Sequence, residues 1–372
     1  MVAAEHAVLH AYRRGQGLTC GVVHPVVTEQ AITTWQMATG HSLGGDQAGM
    51  VRSITTSGDR VQCVIGPAGT SKTAALNIAA RAWETAGYRV IGATVNGTAA
   101  EVLARSTNID TNTVAYLLTR LDTAPQPLID ERTVIVIDEA STLGNRALAR
   151  LVRHTETAGA TLRLVGDPAQ HGAVEAGGLF AHLARNNPNR TPTLTVDRRQ
   201  TAGHMADVRH ATTDYRAGRI AQALNRLDTN DRIVTASTAA ELLDTLAADW
   251  YDDRTRHHAN PERTAASHMV AEHHHERRAL NRRAQALLLA DDTLTGPGID
   301  IADSTFHIGD HVITHEQHRG LRPAAGDRGS YLRNGTRGVV INITAADTET
   351  PGLVVDFENR VPGPTESGPR RR

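Results

Sequence analysis

The residues Gly66-Pro67-Ala68-Gly69-Thr70-Ser71-Lys72-Thr73 lie between a short apolar run, Val61 to Ile65, and a stretch of helical periodicity from Lys72 to Ala86. A Gly-rich turn from strand to helix presents backbone N–H groups and a positive helix end, which together cradle phosphate oxygens. In that setting the Lys72 ammonium reaches β- and γ-phosphates, and the Thr73 hydroxyl ligates Mg²⁺. Lys72 is also the only lysine in the chain. One position departs from the pattern, because Ser71 stands where glycine commonly precedes the lysine. If the backbone there has φ above zero, serine costs about 1 kcal/mol.

Two further groups of residues suit the same chemistry. In Val134-Ile-Val-Ile-Asp-Glu-Ala-Ser141 a β-branched run ends in two carboxylates. Asp138 is placed to hold the metal and Glu139 to activate an attacking water. Leu164-Val-Gly-Asp-Pro-Ala-Gln170 puts an acid and an amide at the end of the next strand, where open α/β sheets bind ligands. Gln170 can hydrogen-bond a γ-phosphate and report hydrolysis. The run Glu272-His-His-His-Glu276 reads instead as a solvated helix start. Adjacent helical residues point about 100° apart, so consecutive histidines do not converge on one ion.

These groups need a scaffold, and the surrounding pattern supplies it. Helices are expected from Ala3 to Tyr12 and from Glu29 to Met37, then strands and helices alternate. Strands are expected at Val61–Ile65, Arg89–Thr94, Val134–Ile137 and Leu162–Val165, with helices at Lys72–Ala86 and Thr98–Arg105. That alternation predicts an α/β fold with a doubly wound parallel sheet. A second α/β segment is expected from Thr193, with helices at Ala206–Arg216, Ala239–Tyr251 and His274–Leu289 and short strands near Ile233 and Met269. From about Phe306 short strands with turn signals, His311–Thr314, Arg337–Ile343 and Leu353–Phe357, suggest a small barrel.

The 372 residues are 40% hydrophobic and 21% charged, which allows nearly all of the chain to be globular. Aromatic residues make up only 3%, so the cores must rest on Ala, Val, Leu and Ile. No apolar run reaches the ~18 residues of a membrane span, and the N-terminus lacks a signal-peptide pattern. Cys20 and Cys63 are too few for a disulfide framework, which fits a reducing cytoplasm. The formal net charge of −1 gives no bulk attraction to nucleic acid, so any groove for a polyanion must be local.

The phosphate loop, Asp-Glu-Ala-Ser, Gly-Asp-Pro-Ala-Gln and Arg-Arg-Gln, in this order, resemble the motifs of superfamily-one DNA helicases. The resemblance is strongest to RecD-like enzymes and, among them, to the helicase part of MobF conjugative relaxases of the TraI/TraA type. It covers roughly Glu5 to Phe357. It implies a RecA-like P-loop ATPase that binds ATP and Mg²⁺ and moves on single-stranded DNA. Gly45-Asp46-Gln47 resembles the element whose glutamine reads adenine, which makes Gln47 the candidate. Gly97-Thr-Ala-Ala-Glu-Val-Leu103 resembles a single-strand-contact motif, with Asn96-Gly97-Thr98 in place of the common Thr-Gly-Lys or Thr-Gly-Arg. Leu194-Thr-Val-Asp-Arg-Arg-Gln200 resembles the fourth motif, whose arginine touches the γ-phosphate; Arg199 is the better match and Arg198 the reserve. Ala279-Leu-Asn-Arg-Arg-Ala284, Gly309-Asp-His-Val312 and Asn334-Gly-Thr-Arg-Gly338 resemble the segment entering the family's SH3-like insertion.

The resulting division is a helical segment (1–40), a RecA-like ATPase domain (41–192), an incomplete second RecA-like domain (193–300), an SH3-like β insertion (301–361) and a disordered tail (362–372). The family's late motifs and its relaxase half are not found, so the expectation is a fragment that hydrolyses ATP slowly and does not unwind duplex DNA. A relaxase or a separate C-terminal helicase part would be its protein partner. Two other readings stay open: an ATP- or DNA-binding fragment that does not cycle, and a P-loop ATPase acting on something other than DNA.

Overall fold

The computed structural model describes residues 2–198, 203–256, 267–315, 330–332, 334–344, 352–357 and 361–362. They divide into two compact units, Met1–Asn230 and Asp231–Arg372. The expected tail from 363 onward lies outside the described residues.

The first unit is organised by five strands: β1 (Val61–Ile65), β2 (Arg89–Thr94), β3 (Asp110–Thr113), β4 (Thr133–Ile137) and β5 (Thr161–Gly166). All pair in parallel, in the order β1-β5-β4-β2-β3. The continuous β-branched run of β4 is explained by its central place, since all five of its residues are buried. Its side chains alternate between two cores. Ile135 and Ile137 face one core with Leu162, Leu164, Leu148 and Leu151; Val134 and Val136 face the other with Leu76, Ile78, Trp83 and Ile54.

The helices α1 (Val2–Arg14), α2 (Pro25–Thr39), α3 (Gly45–Thr56), α4 (Lys72–Thr85), α5 (Gly97–Thr107), α6 (Val114–Thr123), α7 (Asn145–Ala158) and α8 (Leu179–Asn186) cover the sheet. Val8 and Tyr12 of α1 join the first core, whereas Ile32 of α2 joins the second. The N-terminal helices thus lie on opposite faces of the same sheet. The arrangement is a RecA-like P-loop fold.

Arg163 on β5 is fully buried, which only a complete set of acceptors makes tolerable. Its guanidinium donates to Ile54 O at 2.9 Å and Asp59 O at 2.8 Å, and lies over the Trp83 ring. Burial pulls its pKa down to about 10.

After α8 the chain returns to the free edge of β1, where Ile65 bridges Thr193 and Leu194 is wholly buried. Two helices, α9 (Ala206–Arg216) and α10 (Ile220–Thr229), complete this unit. In the second unit α11 (Ala239–Arg256) and α12 (His274–Ala290) pack together, followed by a hairpin of β6 (Thr295–Ile301) and β7 (Ser304–Ile308). A three-stranded antiparallel sheet follows, formed by β8 (His311–Ile313), β10 (Arg337–Thr344) and β11 (Gly352–Phe357), and the short β9 (Ser330–Tyr331) pairs with β12 (Val361–Pro362). The histidine run starts α12, with the Glu276 carboxylate accepting the His273 N–H at 3.1 Å.

The strands expected near Ile233 and Met269 are irregular chain. A strand needs a partner for its ladder, and among the described residues neither segment has one. No helix among the described residues is long and apolar enough to cross a membrane.

Candidate functional site

The sheet explains why the three motifs meet. β1, β5 and β4 are consecutive and parallel, so the turns that follow them lie at one end of the sheet. Gly66 N–H donates to Gly166 O at 2.8 Å, tying the start of the phosphate loop to the end of β5. Gly166 must stay small: an added Cβ would stand 2.9 Å from Ser141 N and 3.0 Å from the Phe180 ring.

Within the loop, the Thr70 hydroxyl donates to Pro67 O at 2.7 Å, and Gly69 takes a φ of 84°. Ser71 caps α4 from the left-handed region at φ 55° and ψ 41°, with its side chain exposed. The conformation that glycine would adopt freely is therefore the one serine is required to hold. α4 then begins at Lys72, and Thr73 lies in its first turn. The Lys72 ammonium reaches across to the carboxylate of Asp138, Nζ to Oδ1 2.9 Å, with both side chains mostly shielded. Asp138 is fixed in turn, its N–H donating to Ala93 O at 3.0 Å. Glu139 follows in a left-handed conformation, φ 57°, and its N–H donates to Asp138 Oδ1 at 2.9 Å. Two non-glycine residues in this region, one in each motif, are local strain of the kind that collects at functional sites.

Gln47, at the start of α3, is buried against this loop. Its carboxamide donates to Ser71 O at 3.1 Å and Thr70 O at 3.4 Å and accepts the Gly44 N–H at 3.1 Å. Gln47, the candidate for reading adenine, also ties the phosphate loop to α3. Gln170 follows β5, is exposed, and bonds back to Asp167. Asp167, by contrast, is buried and ion-paired with Arg216 at the end of α9. Burial opposes its ionisation, but bonds from the Arg216 guanidinium, the Ala169 N–H and Gln170, with the Arg216 charge, together hold the carboxyl below its ordinary range.

Arg198 is also committed. Its guanidinium pairs with Asp46, and its backbone N–H donates to Gly69 O at 2.7 Å. Burial works against the Asp46 charge, yet bonds from Arg198 and from the Thr195 and Val196 N–H groups keep the carboxyl well below the usual carboxylate range. Arg199, the better match to the fourth motif, lies outside the described residues, as does Gln200. The single-strand-contact candidate forms α5, capped by Asn96 Oδ1 accepting the Ala99 N–H at 2.7 Å, with Val95 and Val102 exposed.

Sequence reasoning missed Asp46, Asp197 and Arg216. The Asp197 carboxylate rests against Gly69, where an added Cβ would stand 2.5 Å from Oδ1. Asp46 had one available signal, its position directly before Gln47; Arg216 had none.

The donor set suits a nucleotide with a divalent cation. It has a glycine-containing loop entering a 14-residue helix, one ammonium, a first-turn hydroxyl and a strand-end carboxylate 2.9 Å from that ammonium. Comparison with known proteins agrees. The family described as "AAA domain" matches residues 42–238, more than half of the chain. A "Probable conjugal transfer protein TraA" of Sinorhizobium fredii (strain NBRC 101917 / NGR234) is 30% identical over 82% of this chain and 27% of its own length. A "Conjugal transfer protein TraA" of Agrobacterium fabrum (strain C58 / ATCC 33970) is 32% identical over 68% of this chain and 22% of its own, and one of Rhizobium radiobacter is 34% identical over 52% and 17%. The chain thus spans about a quarter of the length of the curated relatives it matches, or less. With the family matched across the loop, both strand-end motifs and the returning segment, the chain belongs to the AAA-domain family of P-loop proteins.

Proposed function

We propose that this chain is the ATPase part of a RecD-like, superfamily-one motor of MobF type that works on single-stranded DNA in conjugative transfer. The observation that carries this reading is the Lys72–Asp138 pair at the meeting point of the phosphate loop and the acidic strand end, with Glu139 beside it. Mg·ATP, when bound, supplies the phosphoryl group and the charge-neutralising metal. Gly66, Pro67, Ala68, Gly69, Thr70 and Ser71 wrap the phosphates through the loop, and Lys72 neutralises them. The Thr73 hydroxyl and Asp138 hold the metal. Glu139 orients the attacking water and takes its proton. Gln170 passes the state of the site onward, and Arg199 offsets developing phosphoryl charge, a role worth ~10³-fold or more in other NTPases. Residues 193–300 are read as part of a second motor domain and 301–361 as its β insertion. The names of the relatives support the setting in conjugation.

The test is steady-state ATP hydrolysis with and without single-stranded DNA, in parent and Lys72→Ala. Turnover that requires Lys72 and rises more with single strands than with an equal charge of heparin is expected. Lys72-dependent turnover indifferent to DNA would assign the ATPase to another substrate. Nucleotide binding without turnover would make the chain a module that binds and does not cycle, the reading favoured by the strained Ser71. Equal nucleotide affinity in Lys72→Ala and parent would remove the site assignment altogether.

A further inference from the structure

Four groups converge on one carboxylate beside the phosphate loop. Asp46 accepts the Thr195 N–H at 3.0 Å and the Val196 N–H at 3.1 Å, pairs with the Arg198 guanidinium, and takes the N–H of its neighbour Gln47 at 3.0 Å. Arg198 extends the connection, because Nη1 lies 3.4 Å from Thr70 O and its backbone N–H holds Gly69 O at 2.7 Å. The guanidinium also lies against Gly44, where any side chain would collide with it. The segment Thr195–Arg198 is therefore a strap lying on the loop, anchored at one end by the Ile65–Thr193 bridge on β1 and at the other by Asp46. The side chains of the pair are only 11% and 21% exposed, so this is not a solvent-screened surface contact. From the other side, Gln47 grips the carbonyls of Thr70 and Ser71. Consecutive residues of α3 thus hold the two partners of one joint, Gln47 the loop and Asp46 the strap.

We infer that Asp46 is a positioning residue for the proposed ATPase, fixing the strap to the phosphate loop so that nucleotide binding and strap movement are mechanically coupled. The inference rests on the ATPase reading of the same site. Its physical basis is a difference in what each contact supports. Nucleotide phosphates would be held by the loop backbone and Lys72, which Asp46 does not touch. The strap depends on the Asp46 carboxylate to accept two of its backbone N–H groups and to pair with the Arg198 guanidinium. Loss of the carboxylate leaves the two N–H groups without their acceptor and the guanidinium without its charge partner, while the Ile65–Thr193 bridge and the Arg198 N–H bond to Gly69 O remain. Turnover should suffer far more than binding, since a displacement of about 1 Å in a catalytic constellation costs ~10²-fold.

The experiment compares parent, Asp46→Asn and Arg198→Lys by amide hydrogen exchange with and without Mg·ATP, by binding of a fluorescent ATP analogue, and by steady-state turnover. Asp46→Asn should exchange about tenfold faster at 195–198 and lose the slowing that Mg·ATP gives the parent there. Analogue affinity should stay within about threefold while kcat falls tenfold or more, a split that a general folding defect would not produce. Arg198→Lys keeps the charge but loses the planar fork, so it should fall between the two. It carries the test if Asp46→Asn does not fold. Parental exchange and turnover in Asp46→Asn, or no effect of Mg·ATP on strap exchange in the parent, would overturn the inference. Equal losses of affinity, turnover and thermal stability would do the same. Absence of Lys72-dependent turnover in the parent would instead strike the ATPase reading, because strap exchange is measured independently of hydrolysis.

Discussion

In Met1–Asn230 helices cover both faces of a parallel sheet, and Ile135, Ile137, Leu162, Leu164 and Trp83 are completely buried. In Asp231–Arg372 the described apolar core shrinks to a few residues such as Ala247, Leu280, Ala284, Leu294 and Val340, on helices and short antiparallel strands. The second stretch is poorer in hydrophobic residues, and layering widens the difference. A central parallel strand has two faces to bury, and each covering helix adds to the core on its own face. A hairpin or a three-stranded sheet has one face at most, and its other face stays wet. Left-handed non-glycine residues occur in both units, among them Ser71 and Glu139 in the first and Asp231, Asp292 and Ala302 in the second. Those of the first unit stand out because two of them lie in the phosphate-loop and acidic strand-end motifs.

Core truncation should give the largest effect. Leu164→Ala in the first unit should cost toward the upper end of the ~2–5 kcal/mol range for buried leucines, and Leu280→Ala in the second toward the lower end. Thin surroundings collapse around a small cavity more readily than a two-sided core does. Denaturant unfolding of both variants measures this, and equal costs would break the comparison.

Relieving the phosphate loop should give a smaller change. Ser71→Gly removes a cost of about 1 kcal/mol at a left-handed position, which corresponds to roughly fivefold tighter nucleotide binding. Titration of parent and variant with a fluorescent ATP analogue decides it. Unchanged affinity would mean that the loop carries serine without strain.

Acid should bring out the smallest effect at ordinary assay pH, and one concentrated in the first unit. Asp46 and Asp167 have folded-state pKa values depressed below the unfolded ones. Their stabilising contribution is therefore complete above about pH 4 and is lost as pH falls through the depressed values. Asp291 in the second unit is also depressed, by the Tyr251 hydroxyl bond first, but it is exposed and contributes little. Hydrogen exchange at 195–198 and in α9, followed down the acid range, should rise before that of α11 and α12. Simultaneous loosening of both units would remove the distinction.

The sequence by itself determined what depends on neighbours along the chain. Val61–Ile65 and Arg89–Thr94 are strands with the expected bounds, and Ala206–Arg216 is the expected helix, because apolar spacing and Gly-rich turns are local signals. The order of the phosphate loop, Asp138-Glu139 and Asp167…Gln170 was equally legible. β3, Asp-Thr-Asn-Thr, was missed because an edge strand without an apolar residue leaves no periodicity to read. The hairpin beginning Thr-Gly-Pro-Gly hid behind residues that usually punctuate strands. Only the tertiary structure decided the strand order β1-β5-β4-β2-β3 and the use of Gln47 as a loop tether. It alone brought Asp46 to Arg198, 152 residues away, and Asp167 to Arg216, 49 residues away. Charge pairs at such separations have no spacing rule, since any arginine can serve any carboxylate. Which ones meet is fixed when the sheet sets which strand ends are neighbours and where the returning chain must run.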